Sequence, residues 1–203
     1  MNWLAHLTLS QPDAPSRLGQ LLADLLTLPE QALAPPECQD GMRHHRAIDA
    51  YTDQHPVVVR AMGRFPAPWR RYAGVLVDLH FDHSLARRFE RHAGRPLSEF
   101  TAEVYDGMTA LLQQPSVSSA LPGRSGAILQ AMVQHDLLGS YQHPAGIEAA
   151  LARMAGRLRR PVPLHEAAPV LAGLDDALSE DFEAFFPELM RQLDAPAWRR
   201  FKG

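Results

Sequence analysis

Gly41-Met42-Arg43-His44-His45-Arg46-Ala47-Ile48-Asp49-Ala50-Tyr51-Thr52-Asp53 is the stretch from which the rest of the chain can be read. Pro35-Pro36-Glu37 before it makes a helix start, because proline is tolerated in a first turn. Pro56 after it suits the start of another short helix, which Pro66 and Pro68 stop. In a helix, His45, Asp49 and Asp53 form one stripe, since residues four apart lie above one another. A second stripe follows at Asp78 and Asp82, with His83 beside it. Oxygen and nitrogen donors gathered this way suit a hard or borderline divalent ion such as Mn2+, Mg2+ or Zn2+, and point to a metal-dependent hydrolase.

Working outward, nearly every segment has the helical period. Leu18, Leu21, Leu22, Leu25 and Leu26 recur at three and four. A long helix is predicted from about Trp69 to His92, stopped by Gly94 and Pro96. Leu97 to Leu112 reads as a helix with Ser98 as N-cap. Gln113 to Gly126, rich in serine, glycine and proline, reads as a loop. Ala127 to Leu138 and Pro144 to Leu158 are helical again, and Leu164 to Met190 is one or two helices, with Pro187 arguing against an unbroken one. No alternating β-branched segment, Asn-Gly turn or internal repeat is found. The expectation is an all-α, compact multi-helix bundle forming one domain over residues 1–203.

Composition narrows the class. An apolar content of 46% can fill a sizeable core. No apolar run approaches the roughly 18 residues of a membrane-spanning helix. Met1 to Leu7 lacks the basic and apolar regions of a secretory signal. Cys38 stands alone, which excludes an internal disulfide and a thiolate zinc cage. A cytoplasmic location is the default, and no nucleic-acid partner is expected. Ten arginines lie between Arg43 and Arg95, while from Pro161 onward eight acids face four bases. An arginine field favours an anionic partner, phosphate above all, because the guanidinium fork pairs with its oxygens. Arg159 and Arg160 read as a solvated charged face.

Asn2 and His6 are four apart and can share a face at the N-terminus. Asp24 sits in the apolar segment Gly19-Gln20-Leu21-Leu22-Ala23-Asp24, where it either points to water or, if buried, needs a partner. His45 and Asp49 can reach one cation, as paired ligands in helical bundles do, or can bond each other on a solvated face. His44 lies about 100° around the helix from His45 and is not expected to join it. His135-Asp136 is a literal His-Asp dyad with no partner ligands nearby. A two-letter match is weak, and His135 reads better as a helix C-terminal residue meeting the dipole.

Four blocks of this sequence, taken together, resemble the acyl carrier protein phosphodiesterases, a bacterial family remotely related to the His-Asp phosphohydrolases. They are Asn2-Trp3-Leu4-Ala5-His6-Leu7, Gly19-Gln20-Leu21-Leu22-Ala23-Asp24, His45-Arg46-Ala47-Ile48-Asp49 with Thr52-Asp53, and Asp78-Leu79-His80-Phe81-Asp82-His83. The resemblance implies a bundle like the His-Asp phosphohydrolase fold. It also implies hydrolysis of 4′-phosphopantetheine from the serine of holo acyl carrier protein, with a divalent metal, typically Mn2+. The chain departs from the His-Asp pattern in having no adjacent dyad in the expected block.

On that footing Asp24, His45, Asp49 and one of Asp78 or Asp82 are the expected metal ligands. His6 or His83 donates a proton to the leaving seryl oxygen or orients the carboxylates. Arg46 stabilises charge on the phosphoryl oxygens, and Asn2 and Asp53 border the substrate. Arg70, Arg71, Arg87 and Arg88 form the expected docking surface for an acidic carrier protein. Two other classes fit the same residues: a phosphohydrolase acting on a nucleotide such as a guanosine polyphosphate, and a non-catalytic helical interaction module.

Overall fold

A computed structural model of the chain describes residues 1–156 and 162–194. These residues form helices and turns, with no β-strand among them, so the all-α expectation holds. The helices are α1 (Trp3–Leu9), α2 (Ala14–Leu25), α3 (Leu28–Gln31), α4 (Gln39–Gln54), α5 (Pro56–Gly63), α6 (Ala73–Arg87) and α7 (Phe89–Ala93). There follow α8 (Leu97–Leu112), α9 (Pro115–Ser118), α10 (Gly123–Gln134), α11 (Leu137–Ser140), α12 (Pro144–Ala155), α13 (Ala168–Gly173) and α14 (Asp175–Asp194).

Helix α6 is central. Every residue from Leu79 to Ala86 is buried, with α1, α5, α12 and α14 packed around it. On the α14 side Phe81 meets Phe182 and Phe185 at ring distances of 5.6 and 5.8 Å. An enclosed helix offers its polar side chains no water, so each needs a partner. Asp82 accepts the backbone N–H groups of Leu4 (2.7 Å) and Ala5 (3.0 Å), capping the first turn of α1 and fixing that helix on α6.

Helices α2 and α4 cross at two glycines. A Cβ added at Gly19 would lie 2.2 Å from the Cys38 carbonyl oxygen, and one at Gly41 would lie 2.2 Å from that of Ser16. Only glycine allows backbones this close. The crossing sets how Asp24, one turn beyond Gly19, faces His45 and Asp49, which follow Gly41. Gly41→Ala is therefore expected to cost about 3 kcal/mol of stability, since the clash is with backbone and cannot be relieved by a rotamer. An unchanged urea midpoint would show that the crossing has slack.

Several boundaries differ from the sequence reading. The helix expected over 69–92 is a 3-10 turn (Trp69–Tyr72), then α6, then a break at Arg88 (φ −124°, ψ 26°) before α7. Gly94 closes α7 in the left-handed region (φ 70°) as its stop signal requires. Pro96, not Ser98, is the N-cap of α8. The stretch 113–126 holds α9 and the first turn of α10, because Pro115 and Pro122 start helices there instead of preventing them. Pro187 sits inside α14, its missing hydrogen bond offset by the burial of Phe182, Phe185, Phe186 and Leu189. The break falls instead at Leu174, between α13 and α14. Leu158, Arg159 and Arg160 lie outside the described residues.

Candidate metal centre

Three helices bring two imidazoles and two carboxylates together. His6 on α1 and His45 on α4 stack face to face, ring centres 3.8 Å apart and 14° from parallel. Asp49, one turn beyond His45, lies across both edges: Oδ1 is 3.0 Å from His6 Nε2 and Oδ2 is 3.0 Å from His45 Nε2. Asp24 on α2 approaches His45 Nε2 at 3.3 Å through Oδ1, while its Oδ2 accepts the Trp3 indole N–H at 3.0 Å. His6, His45 and Asp49 offer ligand atoms within 4.8 Å of one another and form a group that could hold a metal ion.

The hydrogen bonds of His6 show why a cation fits. Its Nδ1 is 3.2 Å from Gln20 Oε1, and the Gln20 amide nitrogen is 3.0 Å from His44 Nδ1. With Gln20 donating to His44, its oxygen requires the proton of His6 on Nδ1. Burial lowers the His6 pKa to about 4, against the pull of Asp49, so a second proton is disfavoured near neutral pH. The Nε2 lone pair then faces two more oxygens, Asp49 Oδ1 and the Met1 carbonyl at 3.2 Å. With the Met1 ammonium moved off Asp49, His6 Nε2, Asp49 Oδ1 and the Met1 carbonyl would converge on one position fit for a positive ion.

The surrounding charges agree. His45 is pushed up to about 9: burial opposes this, but its bonds to Asp24 and Asp49 outweigh burial. Its buried Nδ1 has no partner, so the ring's polar engagement is all through Nε2 toward the carboxylates. Burial works against the charge of Asp49, yet its bond to His45 holds it well below the usual carboxylate range. The α-amino group of Met1 lies 3.4 Å from Asp49 Oδ1 and 3.2 Å from Asp78 Oδ1. Burial works against its charge, yet Asp78 and Asp49 raise it to about 10. An ammonium and an imidazolium thus supply the positive charge that this set of donors attracts.

An open groove gives access. One lobe, about 280 Å3, is lined by Met1, Asn2, Asp24, Asp49, Asp53, Val75, Asp78 and Met154. A second, about 220 Å3, shares Asn2, Asp24 and Met154 and adds Trp3, Leu137, Tyr141, Ala150 and Arg153. A larger cleft of about 360 Å3 lies beside His80 and His83, half a helical turn around α6 from Asp78. Its lining is mostly apolar, and its Asp175 is occupied by His80 and Arg87 at 3.0 Å each, so its size does not make it the centre of the chemistry.

Residues 1–189 match the family described as acyl carrier protein phosphodiesterase. Proteins named acyl carrier protein phosphodiesterase are similar throughout: one from Escherichia coli O45:K1 (strain S88) is 31% identical over 198 residues, covering 97% of this chain and 100% of the relative. One from Escherichia coli K12 (strain DH10B) is 30% identical over the same shares. The chain belongs to the acyl carrier protein phosphodiesterase family. No solved structure is significantly similar to it.

In this family member the residues singled out from sequence separate into two sets. His6, Asp24, His45, Asp49 and Asp78 meet at the centre, and Asn2 and Asp53 line its groove. Asp82 turns both oxygens to the backbone of α1, and burial pushes it up to about 7 against those N–H bonds. His83 has Nδ1 2.6 Å from the Tyr141 carbonyl and faces the larger cleft. Arg46 donates to Gln31 Oε1 at 2.9 Å on the exposed side of α4. Arg87 pairs with Asp175 and Arg88 with Glu183, so acids of α14 neutralise part of the arginine field. Arg70 donates to the carbonyls of Phe65 and Gly63, and Arg71 lies over the Tyr72 ring; neither has an acidic partner among the described residues.

The dyad His135-Asp136 is spent on structure. His135 is the C-cap of α10, and Asp136 accepts from the Tyr105 hydroxyl (3.0 Å) and caps α11. Sequence reasoning missed Trp3, Gln20 and His44, which hold the side chains of the centre in place. The only trace was that Trp3 and Gln20 fall inside the blocks with His6 and Asp24.

Proposed function

We propose that this chain is a metal-dependent phosphodiesterase that removes the 4′-phosphopantetheine arm from the serine of holo acyl carrier protein. Apo carrier protein and 4′-phosphopantetheine are the products. The convergence of His6 Nε2, His45 Nε2 and the Asp49 carboxylate beside an open groove carries this reading; the family and the named relatives supply the substrate. The mixed nitrogen and oxygen donors favour Mn2+ over a thiophilic ion.

A divalent cation would supply charge withdrawal at a phosphoryl oxygen and a lowered pKa for water. His6, His45 and Asp49 would hold it, with Asp24 beside them, and Gln20 keeps His6 aimed inward. This reading makes His6 a ligand instead of a proton donor. Asp53 and Asp78 keep the groove mouth negative, which draws in the cation and leaves the diester to be received by positive charge. Arg70 and Arg71 are the docking arginines that remain without acidic partners, and Val75, one turn beyond Arg71, lines the groove. A carrier protein docked there brings its serine to the opening. A cytoplasmic location accords with this reading, and no described helix is long and apolar enough to cross a membrane.

Incubation with holo acyl carrier protein and Mn2+, followed by intact-mass analysis, tests the reading. Loss of the arm's mass is expected with Mn2+ and not with chelator. An unchanged carrier beside hydrolysed guanosine polyphosphate would replace it with the nucleotide reading.

A further inference from the structure

We infer that Arg153, to which the sequence reading assigns no role, receives the substrate's phosphate in the second lobe of the groove, beside a mixed polar and apolar wall for the arm. The inference rests on the diesterase reading and names the side of the site on which the leaving half of the substrate lies. Arg153, near the end of α12, is exposed and lines the lobe that also contains Asp24. It forms no ion pair or hydrogen bond among the described residues. Among the described residues most other arginines are committed: Arg17 and Arg95 to Glu103, Arg60 and Arg64 to Asp181, Arg87 to Asp175, Arg88 and Arg91 to Glu183, Arg124 to Glu30. Arg46, the residue expected to hold phosphate, is bonded to Gln31 instead.

A groove that is carboxylate-rich in one lobe repels a phosphodiester unless positive charge is supplied on both sides of it. The metal-capable group supplies charge beside one lobe and Arg153 in the other, the two lobes sharing Asn2, Asp24 and Met154 as lining residues. A planar guanidinium can grip two phosphoryl oxygens at once. The remaining walls mix apolar side chains, Leu137, Ala150 and Met154, with polar groups, the Trp3 indole N–H, Asn2 and the Tyr141 hydroxyl, the last two bonded at 3.3 Å. Such a mixed wall suits a flexible aliphatic chain interrupted by amides, the chemistry of pantetheine. It suits an inorganic anion or a nucleotide base less well.

Titration calorimetry with two probes, 4′-phosphopantetheine and pantetheine, tests this independently of turnover. The wild type should bind the phosphorylated probe more tightly. Arg153→Ala should weaken that probe by about tenfold or more, the worth of a charge-assisted pair, and leave pantetheine unchanged. Arg153→Lys should recover part of the loss, since an ammonium keeps the charge without the fork. Arg191→Ala, which removes an arginine outside the groove, should change neither. If Arg153→Ala binds both probes as the wild type does, or if the wild type does not prefer the phosphorylated probe, the assignment falls. If holo carrier protein keeps its arm with the wild type while Arg153→Ala still loses the phosphorylated probe, the diesterase reading falls and the anion site stands.

Discussion

Asp49→Ala lowers turnover of holo acyl carrier protein by roughly 10³-fold or more, while Asp136→Ala keeps most of it. The first removes the one carboxylate that spans both imidazoles, at 3.0 Å from each, and with it the anchor for charge stabilisation at phosphorus. The second removes an acceptor for Tyr105 and a cap for a four-residue helix, neither of which faces the groove. Helical circular dichroism should survive in Asp49→Ala, because the α2–α4 crossing and the Asp82 cap on α1 do not depend on that side chain. Metal affinity should fall with activity. A dead Asp136→Ala beside an active Asp49→Ala would mean that the literal dyad is the working pair.

The second large effect is a rise of metal affinity with pH. His45 holds a proton up to about pH 9 through its bonds to Asp24 and Asp49, on the Nε2 atom that a metal needs. Metal and proton compete for it, so affinity should increase about tenfold per pH unit between 7 and 9. In the metal-free protein the sign is opposite. The raised His45 pKa contributes stability that is fully present below 6.5 and is lost as pH climbs through about 9, on the order of 3 kcal/mol in all for this buried ring. The depressed Asp24 and Asp49 contribute stability above the usual carboxylate range, lost as pH falls through it. Urea unfolding without metal should thus show more stability lost between pH 6.5 and 9 in the wild type than in His45→Gln. Flat metal affinity from pH 7 to 9 would show that His45 is not a ligand.

Local spacing made the helices and the first partners legible. Proline and glycine punctuation located α4, α5 and α8 closely, and four-residue spacing put His45 beside Asp49. Spacing says which residues share a face but not what that face meets. Asp78 and Asp82 look equivalent in sequence; one reaches the groove and the other is consumed by the N-terminus of α1, a difference decided by how α1 lies on α6. The same holds for the arginines. Arg60, Arg64, Arg87 and Arg88 meet acids on α14 some 88 to 121 residues away, pairings that no local pattern records. His6 looked ambiguous because its tautomer is set by Gln20, and Gln20 is aimed by the Gly19–Gly41 crossing next to it. Pro187 misled for a related reason: the burial of a phenylalanine cluster outweighs the loss of one backbone hydrogen bond.

The proposed catalytic metal centre is His6, His45 and Asp49. Crystals soaked in Mn2+ and measured at a wavelength where manganese scatters anomalously would test it directly. The account predicts a peak within bonding distance of His6 Nε2, His45 Nε2 and the Asp49 carboxylate, with the Met1 ammonium displaced from between Asp49 and Asp78. A manganese peak at another set of side chains, with none at this one in protein that is active toward holo carrier protein, would contradict it.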